Sequence, residues 1–308
     1  MKRFLKKFLA IFIVLILAIP LGIIIWYVSP LPNANIKFKK GGYGHLYSRL
    51  AELDTTENIE VLFLGSSHTY RGFNTQRISE RIGFKCFNLG SSGQTPDVTK
   101  VLLKSYLNEI KPKLVVYEVV PSGIFNESIG SRVDLISNLP FKRFNSLYHL
   151  EDFGVSEFKT LILAVSHPIF KSKYHEPKNK GIDEYKSGGY VKRIGFGSYS
   201  KQLDLPEFTA DFDSKGFKRF LDNLAVIRSQ GIPIMLVLAP TTSYDYSRYP
   251  LNLDSAYSSL GLYFNFNQSL PLDDSLHFFD DSHLNSDGVE MFNDAFIQTL
   301  CPIIDTIN

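Results

Sequence analysis

The strongest hydrophobic feature of the sequence is one long uncharged stretch near its beginning. Residues 8–28 form 21 consecutive positions without a charge, and a helix of that length, at about 1.5 Å per residue, reaches about 30 Å, the thickness of a bilayer core. A cleaved signal peptide has a shorter apolar region. The stretch is preceded by basic residues and ends in two aromatic residues typical of a membrane interface: Lys2, Arg3, Lys6, Lys7, Trp26 and Tyr27. We therefore predict a transmembrane anchor at 8–28, a basic cytoplasmic head at 1–7, and a non-cytoplasmic remainder.

After the anchor, short apolar runs alternate with segments of helical character. The apolar runs predict strands at 59–64, 85–89, 113–120, 232–239 and 262–266. The segments between and after them predict helices at 75–82, 97–110, 215–230 and 287–300. Because strand and helix alternate at short spacing, the pattern favours right-handed βαβ units and a parallel sheet within one α/β domain at 59–305.

Two stretches of the chain do not follow this alternation. Residues 29–58 begin with the Pro- and Asn-rich segment SPLPNAN and predict a juxtamembrane linker with a short helix at about 45–53. Residues 121–210 contain aromatic residues and scattered glycines without a clear period. We interpret this second stretch as an insertion that packs beside the sheet.

The composition excludes disorder and makes one class of partner improbable. The chain has 308 residues, of which 44% are hydrophobic and 21% charged, so it can bury a full core. The net charge of +2 includes four basic residues of the head, and without them 29 basic face 31 acidic residues. Nucleic-acid-binding domains usually have a strong excess of basic residues, and this chain has none outside the head. We therefore expect no nucleic-acid partner.

Polar loops with small residues follow three of the predicted strands. Gly65 to His68 follow the first strand, Gly90 to Gln94 follow the second, and Asp280 and His283 lie in the loop after the fifth. In an open parallel sheet, ligands bind beyond the carboxyl ends of the strands, where such loops meet. We therefore expect these loops to form one site.

The residue types in these loops are those of nucleophilic catalysis. A serine hydroxyl attacks well only when an imidazole takes its proton and a carboxylate orients that imidazole. Ser67, His283 and Asp280 supply these three groups, although Asp281 is an alternative carboxylate. The backbone N–H groups of Ser67 and Gly90 are candidate donors to a developing oxyanion.

Three motifs resemble the blocks of the SGNH hydrolase superfamily, the GDSL-like esterases and acetyltransferases. They are GSSH at 65–68, NLGSSGQ at 88–94 and DDSHLN at 280–285. The resemblance implies a flavodoxin-like three-layer α/β/α fold and hydrolysis or transfer of an ester-linked acyl group, without a metal or a cofactor. It also implies Ser67 as nucleophile, Gly90 as an oxyanion donor, and Asp280 with His283 as the catalytic Asp-x-x-His pair.

The chain departs from the family pattern after the third strand. The family's third block supplies an asparagine amide to the oxyanion hole, whereas this strand ends YEVVPSG. Glu118 or a residue of the loop from Ser91 to Gln94 is a candidate substitute, and within that loop we choose Gln94. In this respect the sequence resembles the divergent branch that includes alginate O-acetyltransferases and the teichoic-acid D-alanylation protein.

These features lead to two hypotheses of different classes. The first is a single-pass protein of the cell (inner) membrane that acts as a serine esterase or O-acyltransferase on acylated envelope glycans, with an acyl-donating membrane protein as a possible partner. The alternative, motivated by the missing asparagine, is a catalytically weak glycan-binding or assembly component of a polysaccharide modification system. The sequence leaves hydrolysis and transfer, and the identity of the acyl group, open.

Overall fold

The computed structural model describes residues 1–29, 38–170, 174–195 and 208–307. The strands are β1 Val61–Leu64, β2 Cys86–Asn88, β3 Leu114–Glu118, β4 Asn179–Lys180, β5 Asp183–Lys186, β6 Tyr190–Arg193, β7 Ile234–Leu238 and β8 Leu262–Asn265. The helices of the first half are α1 Lys2–Val28, α2 Leu46–Leu53, α3 Ser67–Gly72, α4 Thr75–Ile82, α5 Pro96–Ile110, α6 Pro121–Phe125 and α7 Ile129–Asn138. Those of the second half are α8 Val155–Phe170, α9 Lys215–Arg228, α10 Ser243–Ser247, α11 Leu253–Ser258, α12 Asp274–His277 and α13 Ser286–Ile307. Two 3-10 helices span Tyr43–His45 and Phe141–His149.

Five strands form a central parallel sheet with the order β2-β1-β3-β7-β8. Counted along the chain within this sheet, the order is 2-1-3-4-5, which is the flavodoxin-like arrangement. The predicted α/β fold with a central parallel sheet is therefore confirmed. In this order the loops after β1, β2 and β3 lie side by side at the carboxyl edge of the sheet.

The central strands β1, β3 and β7 are almost continuously apolar and are buried on both faces of the sheet. Leu62 and Leu64 of β1 pack into one core cluster, together with residues of α5 and α9. Val61 and Phe63, which point to the opposite face, pack into a second cluster with residues of α13. The two clusters make the molecule a three-layer structure with the sheet in the middle.

The first helix, α1, is long and apolar enough to cross a membrane, and no residue of its most apolar window is buried. Only its last turns contact the domain, where Ile23 and Tyr27 pack against the first core cluster. The Tyr27 ring meets Phe38 edge-on at 5.8 Å between ring centroids. Most of the linker segment predicted at 29–35 lies outside the described residues, whereas α2 forms where the short helix was predicted.

The stretch 121–210 contains α6, α7, α8 and an antiparallel sheet of β4, β5 and β6, apart from residues 171–173 and 196–207, which lie outside the described part. The turn between β5 and β6 packs on the end of β2, because Asn88 donates its N–H to the Gly188 carbonyl at 2.8 Å. β6 also lies against α3. This small sheet therefore borders the carboxyl edge of the central sheet.

Candidate active site

Ser67 stands at the beginning of a short helix that starts directly after β1. Gly65 has φ of +138°, and a Cβ at this position would lie 2.4 Å from Thr69 Oγ1 and 2.9 Å from the Glu118 carbonyl oxygen. Only glycine fits this turn without strain. Ser66 caps α3 by accepting the N–H of His68, so Ser67 becomes the first residue of the helix. The turn between strand and helix thus fixes the position of the Ser67 hydroxyl.

His283 and Asp280 lie in one loop, and both imidazole nitrogens have partners. His283 Nε2 is 2.7 Å from Ser67 Oγ. His283 Nδ1 is 2.8 Å from Asp280 Oδ1 and 3.0 Å from Oδ2. The same carboxylate accepts the backbone N–H of His283 at 2.9 Å, which locks the loop around the pair. The structure therefore brings Ser67, His283 and Asp280 into a continuous hydrogen-bonded row across 216 residues of sequence.

The surroundings of Asp280 keep its carboxyl group ionised. Burial by itself would raise the pKa of Asp280, but the hydrogen bond and charge of His283, together with hydrogen bonds from Arg193 and the Ser282 N–H, hold that pKa well below its usual range. An ionised carboxylate at Nδ1 favours the tautomer in which Nε2 of His283 accepts a proton. This is the form that can remove the proton of Ser67.

The alternative carboxylate, Asp281, is engaged differently. Its backbone carbonyl accepts the side-chain hydroxyl of Thr242 at 2.6 Å and the Thr242 N–H at 3.4 Å. These bonds hold the loop at Asp281, and the carboxylate partner of His283 Nδ1 is Asp280. Of the two aspartates that sequence reasoning left open, Asp280 is the one in contact with the imidazole.

Gly90 lies close to the nucleophile turn, but its N–H already has an acceptor. A Cβ at Gly90 would lie 3.0 Å from the carbonyl oxygens of Gly65 and Ser66, so glycine allows the two loops to approach. The Gly90 N–H donates to Asn88 Oδ1 at 3.0 Å. An oxyanion would have to displace this bond before Gly90 could stabilise it.

Gln94 does not present its amide to the site. It is buried, its Oε1 accepts the Ser91 hydroxyl at 2.9 Å, and its Nε2 donates to Thr99 Oγ1 at 2.9 Å. Both ends of the amide are thus used to close the loop onto α5. Gln94 therefore stabilises the loop. Its contacts do not support the sequence-based choice of Gln94 as a substitute oxyanion donor.

A residue that sequence reasoning missed completes the surroundings of Asp280. Arg193, the last residue of β6, donates to Asp280 Oδ2 at 2.7 Å, and its guanidinium lies 4.2 Å from the centroid of the Phe279 ring. Asp183 on the neighbouring strand lies 3.7 Å from Arg193 Nε and forms a two-pronged ion pair with Arg71 of α3. No motif marks these residues, because they come from a stretch without a clear period.

Glu118 occupies the end of β3, where the family pattern has its asparagine-bearing block. It is buried, and burial raises its pKa to about 8, although hydrogen bonds from the Val120 N–H and from Ser66 act in the opposite direction. The Ser66 hydroxyl lies 3.2 Å from both Glu118 Oε2 and His68 Nδ1. Glu118 is therefore engaged with Ser66 and with the Val120 N–H.

His68 lies between His283 and the buried hydrogen bonds of Ser66 and Glu118. The two imidazole rings stack with 5.0 Å between their centroids. Burial, and to a lesser degree the charge of His283, lowers the pKa of His68 to about 3, so that its ring is neutral near pH 7. The ring that stacks on His283 is therefore neutral and places no like charge beside it.

Comparison with known proteins adds little to this geometry. No protein-family model and no curated protein matches the chain. Six chains of solved structures match it. One is a candidate acylhydrolase from Bacteroides fragilis, at 13% sequence identity, with 86% of this chain and 99% of that chain covered and a TM-score of 0.42. At this sequence identity and TM-score the likeness does not indicate a function.

Proposed function

We propose that this protein is a serine ester hydrolase or O-acyltransferase that acts on acylated glycans of the cell envelope. The observation that carries the proposal is the row of hydrogen bonds from Ser67 Oγ through His283 to Asp280, with 2.7 Å and 2.8 Å between the paired atoms. Nucleophile and base are within reach of each other, and the base is oriented by a carboxylate that the surrounding groups keep ionised.

In the first half-reaction, Ser67 Oγ bonds to the carbonyl carbon of the ester while its proton passes to His283 Nε2. Asp280 stabilises the imidazolium that forms. The tetrahedral intermediate then collapses, the bond from carbon to the leaving oxygen breaks, and His283 returns the proton to the leaving alcohol. The products are an acyl-Ser67 ester and a free hydroxyl group.

In the second half-reaction, a hydroxyl of water or of a sugar attacks the acyl-Ser67 carbonyl. His283 removes the proton from the attacking oxygen and gives it to Ser67 Oγ as the acyl group leaves. Water as acceptor makes the protein an esterase, and a sugar hydroxyl makes it an O-acyltransferase. The same three residues serve both reactions, and the two reactions differ only in whether water or a sugar hydroxyl accepts the acyl group.

The weak point of the site is the stabilisation of the oxyanion. The Ser67 N–H has no acceptor within its helix because it stands in the first turn, but the Gly90 N–H is bonded to Asn88 and the Gln94 amide is bonded at both ends. One donor contributes about 2.7 to 4 kcal/mol to transition-state stabilisation. We expect slow hydrolysis of p-nitrophenyl acetate, with kcat/KM below about 10⁴ M⁻¹s⁻¹, and stimulation by the physiological glycan.

An envelope substrate is supported by the apolar helix α1, which is long enough to hold the domain at a membrane surface. We place the domain on the non-cytoplasmic side of the cell (inner) membrane, because the basic head precedes the apolar stretch. A membrane protein that donates the acyl group would fit the transferase form of the proposal.

Reaction with a fluorophosphonate tests the assignment directly. The reagent should phosphonylate Ser67 in the detergent-solubilised full-length protein, and mass spectrometry of the labelled peptide separates Ser67 from Ser66. Ser67→Ala and His283→Ala should abolish labelling. His277→Ala is the matched control, because His277 lies in the same segment and bonds to the Asp273 N–H instead of the triad.

The alternative function is a glycan-binding or assembly component, and the engaged Gly90 N–H favours it to some extent. Under that alternative, folded protein would not react with the fluorophosphonate but would still bind acylated polysaccharide. Labelling at Ser67 decides for the enzyme, and binding of glycan without labelling decides for the component.

A further inference from the structure

The outward face of α8 is apolar, which is the reverse of what a water-exposed helix shows. Five apolar residues recur at spacings of three and four, which places them on one stripe of the helix: Val155, Phe158, Ile162, Val165 and Ile169. Val155 and Ile169 are 75% and 76% exposed, and Phe158 and Val165 are about half exposed. The opposite face is buried against the core through Leu163 and Ala164.

The end of α1 lies against this helix. α1 contacts α8, and Ile23 and Tyr27 of α1 pack on the core cluster to which Leu163 and Ala164 belong. Phe38 joins the two helices as well, with its ring edge-on to Tyr27 at 5.8 Å and to His167 of α8 at 5.4 Å. The carboxyl-terminal turns of α1 and the helix α8 therefore lie at the same level.

The length of α1 determines the depth of these turns relative to the bilayer. If the turns from Ile23 onward stood in water with the domain, the uncharged part left to cross the bilayer would be residues 8–22, about 22 Å long at 1.5 Å per residue. The hydrocarbon core is about 30 Å thick. The packed turns of α1 have to stay at membrane depth for the helix to span, and α8 is held at that depth with them.

We propose that the stripe of α8 lies in the boundary between headgroups and acyl chains of the leaflet where α1 ends. The occupant of this face is lipid. An apolar stripe of this kind on the surface of a soluble domain marks a contact with a membrane or a protein, and the continuity with α1 selects the membrane. The inference rests on α1 crossing the bilayer and is independent of the catalytic proposal.

Tryptophan fluorescence in lipid tests the inference, because the chain has a single tryptophan, Trp26. Ile169→Trp in a Trp26→Phe background reports on the stripe, in full-length protein reconstituted into vesicles with or without phospholipids brominated near the headgroup end of the acyl chain. The matched control is Leu276→Trp in the same background. Leu276 is 63% exposed and lies on α12, which packs on α13 in the opposite layer.

We expect the tryptophan at 169 to emit at short wavelength and to lose intensity in brominated lipid to the same extent as native Trp26, with no loss at 276. Phe158→Trp repeats the test at a second position if the first variant does not fold. Long-wavelength, unquenched emission at 169 would place the stripe in water and overturn the inference. Short-wavelength emission without quenching would place it against protein, and equal quenching at 276 or none at native Trp26 would also overturn it.

Discussion

At the scale of single residues, Arg193 adds a positively charged hydrogen-bond donor to the carboxylate of Asp280. Its guanidinium donates to Asp280 Oδ2 at 2.7 Å while Nδ1 of His283 contacts both oxygens of the same carboxylate. Arg193 is largely buried and is itself steadied by Asp183 at 3.7 Å. We interpret Arg193 as a positioning residue that fixes the carboxylate and keeps it ionised.

Replacing Arg193 by glutamine should lower kcat/KM for an acyl ester roughly tenfold, the smaller end of what a charge-assisted hydrogen bond contributes, because Asp280 is partly exposed. Arg193→Lys, which keeps a positive charge beside Asp280 Oδ2, should retain more of the activity than Arg193→Gln. Lys192→Gln removes a charge from the exposed neighbour on the same strand and serves as the control. A wild-type kcat/KM in Arg193→Gln, or an equal loss in Arg193→Lys, would contradict the positioning role.

The buried carboxyl group of Glu118 makes a prediction about stability. Its pKa is about 8 in the folded protein and 4.5 in the unfolded chain. Between these values the folded state holds a proton that the unfolded state has lost, so the free energy of unfolding decreases as pH rises from about 4.5 to 8. Each unit of difference corresponds to about 1.36 kcal/mol.

Glu118→Gln should remove this pH dependence while keeping the acceptor for the Val120 N–H. The measurement is denaturant unfolding of both proteins in detergent at several pH values. The difference in unfolding free energy, wild type minus variant, should shrink by several kcal/mol across the window and level off above about pH 8. A constant difference would mean that Glu118 is ionised throughout.

At the scale of elements, the antiparallel sheet β4–β6 is the part of the inserted stretch that reaches the site. Its turn rests on the end of β2, and its last strand delivers Arg193 to Asp280. Gly189 has φ of +85°, and a Cβ there would lie 2.3 Å from the Asn88 carbonyl oxygen. The contact is so close that only glycine lets the sheet dock.

Gly189→Ala should therefore destabilise the protein and slow ester hydrolysis, because the turn has to move away from Asn88. Gly181→Ala is a matched control, since Gly181 also has a positive φ, +60°, but has nothing within 4 Å of its added Cβ. The control should cost about 1 kcal/mol of backbone strain, and Gly189→Ala about 1 to 3 kcal/mol more. Equal unfolding midpoints for the two variants would show that the docking of the turn is not tight.

At the scale of the whole molecule, the proposed topology places everything after α1 on one side of the membrane. Leu251 is fully exposed on the surface of the domain, and Cys86, whose pKa burial raises to about 12, is a poor target for thiol reagents. Leu251→Cys in a Cys301→Ser background therefore offers one reactive thiol on the domain.

This thiol should react with a membrane-impermeant maleimide in intact cells whose outer barrier has been made permeable. A cysteine in the basic head, Lys6→Cys in the same background, should react only after the membrane is opened. The opposite pattern, with the head labelled first, would reverse the topology.

The sequence by itself determined the parts of this protein that depend on local pattern. Apolar runs gave the five strands of the central sheet, and α4 runs over the predicted residues, Thr75–Ile82, because Asn74 caps its start and Gly83 ends it in a left-handed conformation. The uncharged stretch predicted the apolar first helix. The sequence also predicted that the loops of Ser67 and His283 meet, because the carboxyl ends of parallel strands lie at one edge of the sheet.

Only the tertiary structure decided how the residues of these loops are used. Asp280 and Asp281 are neighbours in sequence, but the carboxylate of Asp280 meets His283 Nδ1 while the backbone carbonyl of Asp281 accepts the Thr242 hydroxyl. The Gln94 amide closes onto Ser91 and Thr99, and Arg193 arrives from a sheet without a motif. Helices follow from local pattern because their hydrogen bonds join near neighbours, and strands show as short apolar runs even though they pair with distant segments. The partners of the site residues are set only by how those distant segments pack.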